Sequence, residues 1–224
     1  MTMDEAVRID VASHHRGLGR ALRDPELLAD RNNWRKRFSP ELAYGRHFAP
    51  PGPDARPAAV LVILEPRSDG WSIPLTMRPN HLPDHPGQVS LPGGRIERGE
   101  SPAQAALREA REEIGTILHS DALVGPLQPL FVFNSNYFVQ PFLAIASGPL
   151  QFTACPFEVE RVIHLPTRTL CDPDCHQVRD FRRGNICWRA RTITCEEDTI
   201  WGATAVMLAD LIPVLRRAKM DGSA

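Results

Sequence analysis

Glu109, Glu112 and Glu113 lie in one short segment that follows directly after a run rich in glycine and proline. Residues three or four positions apart share one face of a helix, so a helix here would present the three carboxylates together. Like charges at that spacing destabilise a helix by about 0.2–0.5 kcal/mol per pair unless something compensates them. Oxygen-only clusters suit hard divalent cations such as Mg²⁺ or Mn²⁺. The three glutamates are therefore candidate metal ligands.

The helix that would carry them has a predicted start and a predicted end. Ser101 is a favourable N-cap, Pro102 suits the first helical position, and Gln104 completes a capping box. Gly115 suits the left-handed conformation that ends many helices. A separate apolar stripe is formed by Ala103, Ala106, Leu107, Ala110 and Ile114. The alternative for the glutamates is a solvated face neutralised by arginines, and for the segment taken alone that alternative is the better one.

The overall composition narrows the class of protein. Of the 224 residues 42% are hydrophobic and 24% charged, near the averages of soluble globular proteins. The net charge of −1 argues against nucleic acid or a membrane surface as a partner. No apolar run approaches the roughly 20 residues that span a bilayer, and the N-terminus does not resemble a signal peptide. The number of cysteines, five, is odd and favours reduced thiols over a set of disulfides. Cys171, Cys175 and His176 lie close together in sequence but lack a second ligand pair, so loop thiols are favoured over a zinc site. We therefore predict a cytoplasmic protein.

The elements that must position the glutamates follow from the periodicity. We expect an N-terminal extension and linker over 1–55, a main domain over 56–217 and a tail over 218–224. Within the extension, residues 22–47 are predicted to be helical, and the basic run 31–37 to lie on a solvated helix face. Short apolar runs predict strands at 58–66, 71–78, 88–94, 123–134, 137–145, 158–166 and 186–194. A closing helix starts near Ile200, and Pro213 is expected to end or kink it.

Strands outnumber the helices, and the helices are separated along the chain. This arrangement predicts an α/β fold in which a mixed sheet carries helices on its faces, with the N-terminal helical extension added to it.

A longer pattern surrounds the three glutamates. From Gly94 onward the chain reads G-x5-E-x7-R-E-A-R-E-E-I-G-T. This resembles the Nudix box, G-x5-E-x7-R-E-U-x-E-E-x-G-U, in which U is a bulky aliphatic residue. Its fixed identities are all present, at Gly94, Glu100, Arg108, Glu109, Glu112, Glu113 and Gly115. The two U positions depart, at Ala110 and Thr116, and they concern packing rather than chemistry.

The resemblance implies a fold, a reaction and roles for residues. Nudix proteins have a mixed sheet between helices, an α/β/α sandwich, and hydrolyse a nucleoside diphosphate linked to another moiety with the help of divalent cations. By position, the metal ligands would be Glu109, Glu112 and Glu113, joined by a backbone carbonyl of Gly93 or Gly94. An ion pair between Arg108 and Glu100 would hold the loop against the helix.

The general base is open among three glutamates. A pyrophosphate repels an approaching hydroxide, so cations must screen its oxygens and a carboxylate must take the proton from water. Glu112 is one candidate base, and Glu158 and Glu160 are the others. An exposed charge on a strand is the alternative for the last two.

A narrower resemblance begins upstream of the box. Residues 75–94 are similar to the motif L-L-T-x-R-[SA]-x3-R-x3-G-x3-F-P-G-G of coenzyme A pyrophosphatases. The matching positions are Leu75, Thr76, Arg78, Gly87, Pro92, Gly93 and Gly94. The departures are Pro74, Pro79, Pro83 and Leu91, and Pro83 replaces an arginine that would suit phosphate. Arg78, His81 and His85 could contact the substrate instead, although the histidines could equally be loop or capping residues.

The resemblance implies hydrolysis of coenzyme A or its derivatives to 4′-phosphopantetheine and adenosine 3′,5′-bisphosphate, with Mg²⁺ or Mn²⁺. One alternative is another nucleoside diphosphate derivative, such as ADP-ribose, NADH or a dinucleotide. Another is a nucleotide-binding module without activity. The expected partner is a small nucleotide, and a homodimer stays open. Trp201 and Tyr137 could stack on adenine or could be core or rim residues.

Overall fold

The structure, a computed structural model, describes residues 10–81 and 85–222. Its helices are α1 (Val11–Arg23), α2 (Pro25–Phe38), α3 (Pro102–Ile114), α4 (Thr167–Cys171) and α5 (Gly202–Arg217). Its strands are β1 (Arg56–Arg67), β2 (Gly70–Met77), β3 (Val89–Ser90), β4 (Gly93–Arg95), β5 (Leu123–Pro126), β6 (Leu130–Val132), β7 (Tyr137–Ile145), β8 (Arg161–Pro166), β9 (His176–Arg183), β10 (Ile186–Cys195) and β11 (Asp198–Ile200). Four 3₁₀ turns are Glu41–Ala43, Arg46–Phe48, Ser120–Ala122 and Pro173–Cys175.

Successive side chains of a strand point to opposite sides, and in β1 both sides are buried. Its residues divide between two buried clusters, Ala59, Leu61 and Ile63 in one and Ala58, Val62 and Leu64 in the other. The first cluster includes the buried face of α3, and the second includes α5 and part of α2. The sheet therefore lies between two helical layers, and the predicted α/β/α sandwich is confirmed.

The main sheet is mixed, as predicted. Its strands run in the order β3-β2-β1-β7-β5, with β4 added to β1, β6 to β7 and β8 to β2. The central pair β1 and β7 is parallel, and the other pairs are antiparallel. A second, three-stranded sheet has the order β11-β10-β9. Pairing of β4 with β1 places Gly93 opposite Val60 and Gly94 opposite Ala59, directly before α3.

The N-terminal segment corrects two predictions. Its helices begin at Val11 rather than at residue 22, and Asp24 divides them because its side chain caps α2 at the N–H of Glu26. The run 31–37 does not form a solvated face. Arg31 and Arg35 are buried, since α2 packs on α5 and both guanidinium groups find polar partners there.

A buried polar network joins α2 to α5. Arg31 forms a bidentate pair with Asp210, at 3.0 and 2.8 Å. The Gln128 side chain donates to Asp210 at 2.9 Å, and Arg35 donates to Gln128 at 2.9 Å. The extension therefore shares its core with the rest of the chain, while the division of the chain into domains stays a prediction.

Some element limits differ from the predictions. Pro213 was expected to end or kink the last helix, and it does not end it, since α5 continues to Arg217. Nearly the whole helix is buried, and packing offsets the hydrogen bond that proline removes. Strand β8 begins at Arg161, three residues later than predicted, so Glu158 and Glu160 precede it. Strands β9 and β11 were not predicted, since β9 is mostly polar and exposed.

Two further properties concern the chain as a whole. All five cysteines lie in the described ranges and are free thiols, as predicted. None of the helices in the described part of the chain is long and apolar enough to cross a membrane.

Candidate active site

Helix α3 has the predicted ends. The Ser101 hydroxyl accepts from the N–H of Gln104 at 3.3 Å, and the Gln104 side chain accepts from the N–H of Ser101 at 2.9 Å. Gly115 ends the helix with φ of 70°. Defined ends set the rotation of the helix, and the rotation decides where each glutamate points. The buried residues are Ala105, Ala106, Ala110, Glu113 and Ile114, so Glu113 lies on the packed side and not on an exposed stripe.

Arg108 is the centre of the polar contacts. It forms the predicted pair with Glu100 through two bonds of 3.0 and 3.1 Å, which raises the pKa of Arg108 and lowers that of Glu100. The same guanidinium donates to Glu109 at 2.9 Å, to Glu112 at 2.8 Å and to the carbonyl of Arg95 at 3.0 Å. Arg108 therefore joins the glycine loop to the helix and also holds two of the three box glutamates.

Glu113 is the buried carboxyl of the site, with only 5% of its surface exposed. It accepts a hydrogen bond of 3.3 Å from the N–H of Gly93. Burial raises the pKa of Glu113 to about 8, and the like charges of Glu109 and Glu158 act in the same direction. Arg78 is close enough to oppose part of that shift. Burial also raises the pKa of Glu109, with smaller contributions from Glu112 and Glu158.

Glu158 reaches this cluster through the loop before β8. The N–H of Thr153 donates to Ile114 at 2.9 Å, and the N–H of Cys155 donates to the carbonyl of Glu113 at 2.8 Å. These bonds satisfy carbonyls at the end of α3 that the helix leaves unpaired. A turn then follows, in which the N–H of Glu158 donates to Cys155 at 3.0 Å. The loop is thus fastened to the end of α3, and it carries Glu158 to Glu109 and Glu113.

The two loop glycines are required for different reasons. Gly93 has φ of 154°, and a Cβ there would collide with the carbonyl of Ala59 on β1. A Cβ on Gly94 would lie 2.5 Å from Oε1 of Glu109. The absence of side chains therefore lets the loop lie against both the sheet and the carboxylates.

The remaining predicted residues lie around the cluster. Glu112 is at the rim, with 49% of its side chain exposed, and is held by Arg108. Glu160 directly precedes Arg161. The pKa of Arg161 is raised mainly by Asp198 and to a lesser degree by Glu160. His81 is exposed, and the His85 ring contacts Gln88 at 3.2 Å. Pro83 is outside the described residues.

The donors fit a hard divalent cation, although they do not converge on one point. Their ligand atoms are carboxylate oxygens, the donors that such a cation prefers, and Glu113 is a buried carboxyl whose charged form a bound cation would favour. Within the described ranges, no three His, Cys, Asp or Glu side chains are grouped as ligands of one ion.

Sequence reasoning missed two features of the site. The backbone anchor of the Glu158 loop has no signal in the sequence, because it uses only main-chain atoms. Glu113 is buried because of the rotation of α3. It lies three residues after Ala110 and seven after Ala106, on the same helix face, and this spacing could have indicated its burial.

The family model and the known proteins that match this chain agree on one family. Residues 55–178 match the NUDIX domain. A probable nudix hydrolase of Schizosaccharomyces pombe is 31% identical over 160 residues, which cover 71% of this chain and 56% of that protein. An uncharacterized Nudix hydrolase, NudL, of Yersinia pestis is 31% identical over 157 residues, covering 70% of this chain and 78% of that protein. This chain therefore spans little more than half of the first relative and most of the second.

The fold has a counterpart among solved structures. A MutT/nudix family protein from Enterococcus faecalis superposes with a TM-score of 0.50 and 16% identity, covering 85% of this chain and 79% of that one. At this identity the likeness concerns the fold alone.

Proposed function

Because the chain belongs to the Nudix hydrolase family, we propose that it hydrolyses the pyrophosphate bond of coenzyme A or of its derivatives, giving 4′-phosphopantetheine and adenosine 3′,5′-bisphosphate. Membership makes it a Nudix pyrophosphohydrolase. Nudix hydrolases use divalent metal ions and act on small nucleotide substrates. Coenzyme A as the substrate, and Mg²⁺ or Mn²⁺ as the ion, are the finer parts of the proposal. A homodimer and a cytoplasmic location stay predictions.

The observation that carries the proposal is the packing of Glu109 and Glu113 against the glycine loop, where the N–H of Gly93 donates to Glu113 and Gly94 lies against Glu109. Glu158 and Arg78 interact electrostatically with Glu113. Three carboxylates in a partly buried site are costly unless a cation is bound. A diphosphate also needs positive charge, and Arg78 supports its placement there. The arrangement therefore favours metal-assisted hydrolysis of a charged phosphate ester or anhydride.

The chain's own residues have distinct tasks in this reaction. Glu109, Glu112 and Glu113 would hold the cation, which supplies screening of phosphate oxygens and acidifies a bound water. Arg108 positions Glu109 and Glu112 by donating a hydrogen bond to each carboxylate. A carboxylate within reach then accepts a proton from the attacking water.

The positions of the candidate bases favour Glu158 over Glu160. Glu158 interacts with both Glu109 and Glu113, whereas Glu160 lies beside Arg161. Glu112 stays a candidate, because half of its side chain is exposed at the rim of the site.

Coenzyme A is supported by the residues upstream of the box. The N–H of Gly87 donates to the carbonyl of Arg78 at 3.1 Å, and the N–H of Arg78 donates to the carbonyl of Gln88 at 3.0 Å. Pro92 accepts from the N–H of Leu61 at 2.9 Å, which holds the following glycines against β1. Backbone bonds therefore fix several of the matching residues to their neighbours.

The proposal is tested by incubating the purified chain with coenzyme A and either Mg²⁺ or Mn²⁺ and separating the products. We expect adenosine 3′,5′-bisphosphate and 4′-phosphopantetheine. The same assay with 3′-dephospho-coenzyme A, ADP-ribose and a dinucleotide covers the alternative substrates, which the proline departures favour. Cleavage of one of these without cleavage of coenzyme A would contradict the coenzyme A assignment and keep the reaction class. Binding without any product would favour a non-catalytic module, although no box carboxylate is missing.

A further inference from the structure

A second feature lies next to the carboxylate cluster. A cleft of about 470 Å³ opens between the end of β2 and the small sheet of β9, β10 and β11. Its apolar lining comes from Met77, Val89, Phe181 and Trp201. Gly87, from the upstream motif, also lines it. Stacking of Trp201 on adenine, raised from the sequence, is the one role considered so far that would use this cleft.

The aromatic wall of the cleft is built from stacked rings. Trp201 stacks on Phe181 with ring centroids 4.4 Å apart, and Trp188 lies behind them at 5.9 Å from Phe181. Phe181 and Trp201 are only partly buried, so the stack leaves aromatic surface in the cleft. Such a wall favours contact with apolar or planar groups of a ligand.

The polar lining is mostly acidic. The lining contains three carboxylates, of Asp180, Glu197 and Asp198, and one guanidinium, of Arg179. Arg179 directs its donors to Thr199 at 2.7 Å and to Gln177 at 3.1 Å. Asp198 is bonded to Arg161, which also lies 3.7 Å from Glu197. Three carboxylates against Arg179 and Arg161 leave a net charge of −1 beside the cleft, which disfavours a phosphate group and favours a neutral group that donates hydrogen bonds.

The cleft and the carboxylate cluster share one chain segment. Met77 lines the cleft, and the next residue, Arg78, interacts with Glu113. The N–H of Glu160 donates to Met77 at 2.8 Å, which ties the Glu158 loop to the same strand. Arg78, the proposed contact of the diphosphate, therefore directly follows a residue of the cleft.

We propose that this cleft binds the pantetheine arm of coenzyme A, an inference that rests on the proposed function. Coenzyme A has two ends beyond its diphosphate. The adenosine end carries a 3′-phosphate, which the acidic lining disfavours. The pantetheine end is uncharged, has two amide N–H groups and a hydroxyl that carboxylates can accept from, and has methyl and methylene groups that fit Trp201 and Met77.

The test measures binding of each product to the full chain by calorimetry, with Mg²⁺ or Mn²⁺ present. Trp201→Ala is expected to weaken binding of 4′-phosphopantetheine by about tenfold, equivalent to about 1.4 kcal/mol. Binding of adenosine 3′,5′-bisphosphate should change less than about twofold. Trp188→Ala is the matched control, because it removes a ring from the same stack without lining the cleft. It should leave both affinities near those of the wild type.

A second variant avoids any effect of the tryptophan on folding. Glu197 is 83% exposed, so Glu197→Lys should fold normally while reversing a charge of the cleft. We expect binding of adenosine 3′,5′-bisphosphate to stay unchanged in this variant. Tighter binding of the bisphosphate would place the adenosine end in the cleft and overturn the proposal.

The outcomes separate this proposal from the proposed function. If the wild type cleaves coenzyme A but Trp201→Ala weakens both products equally, or the bisphosphate alone, the cleft assignment is wrong and the function stands. If the wild type neither cleaves coenzyme A nor binds 4′-phosphopantetheine, both are wrong. Selective loss of 4′-phosphopantetheine binding in Trp201→Ala supports both.

Discussion

At the scale of single residues, Gly94 shows why the loop before α3 needs glycine. A Cβ at this position would meet the carboxylate of Glu109 rather than any backbone atom. Because that carboxylate is the far end of a flexible side chain, it can move, and the fold can tolerate the extra atom. The substitution would therefore displace the carboxylate of Glu109, a proposed metal ligand.

Gly94→Ala is therefore expected to keep the fold and lose activity. Turnover should fall by about 10²-fold, the typical effect of misplacing a reacting group by about 1 Å. The free energy of unfolding should change by less than about 1 kcal/mol. Steady-state kinetics and urea denaturation measure the two quantities. Gly148→Ala is the control, since nothing lies within 4 Å of a Cβ there. Wild-type turnover in Gly94→Ala would show that Glu109 need not lie where the structure places it.

Glu112 tests the chemistry at the rim of the site. Glu112→Gln is expected to reduce turnover by about 10²–10⁴-fold, because it removes a proposed metal ligand and candidate base. Its ion pair with Arg108 is half-exposed, so the unfolding free energy should fall by no more than about 1 kcal/mol. Glu97→Gln, an exposed glutamate of the preceding loop, should behave as the wild type. Retained turnover in Glu112→Gln would remove this residue from the proposed machinery.

At the scale of elements, α3 and α2 are positioned by different means. Helix α3 has its caps in its own sequence, and its end receives the 153–155 segment through backbone bonds. Helix α2 depends on partners far away in the chain, because Arg31 pairs with Asp210 of α5. A bidentate pair this deeply buried is stable only while both partners are present.

Asp210→Ala is expected to lower the free energy of unfolding by about 3–5 kcal/mol, because it leaves Arg31 buried without its counter-charge. Gln128 also loses an acceptor. Urea denaturation measures the loss. The double variant Arg31→Met with Asp210→Leu should lose less than Asp210→Ala alone, since no buried charge remains. Arg217→Ala, which breaks an exposed pair with Asp24, is the control and should cost about 0–1 kcal/mol. A loss of that small size in Asp210→Ala would contradict the role of the network.

At the scale of the whole molecule, the N-terminal segment is bound to the sheet at more than one place. His47 is buried, and its ring nitrogen Nδ1 bonds to the carbonyl of Phe131 on β6 at 2.9 Å. Burial lowers the pKa of His47, and the nearby Arg35 and Arg46 add to that shift. The docked segment therefore holds a neutral imidazole that the unfolded chain would protonate more readily.

This makes stability depend on pH in a known direction. The folded pKa of His47 is below its unfolded value of about 6.5, so its contribution is complete above that pH and is lost as the pH falls. We expect the wild type to lose stability relative to His47→Gln as the pH falls below about 6.5. The total unfolding free energy also contains opposing contributions, because the raised pKa values of Glu113 and Glu109 add stability on acidification while the lowered pKa values of His164 and His176 remove it.

Urea denaturation at a series of pH values measures this dependence, and His119→Gln is an exposed control. An identical pH dependence in His47→Gln and the wild type would show that the segment does not hold His47 buried in solution.

The sequence could predict much of the fold because the relevant signals are local. The short apolar run 58–66 and the Asp-Gly turn signal before 71–78 indicated adjacent strands, and β1 with β2 has that pairing. The basic run 31–37 misled because charge alone suggests solvent. Only the position of Asp210 turns Arg31 inward. Strand β9 was missed because its residues are mostly polar, and it is held by pairing with β10.

The sequence by itself determined the family, the mixed sheet between helical layers, and the helix with its caps and three glutamates. Each of these depends on spacing within a few turns of chain, where periodicity and fixed offsets are decisive. The tertiary structure alone decided that Glu158 lies close enough to Glu109 and Glu113 to raise their pKa values. It also decided the burial of Glu113 and the cleft beside Arg78. These depend on contacts between segments that are distant in sequence, such as the bond between Cys155 and the carbonyl of Glu113.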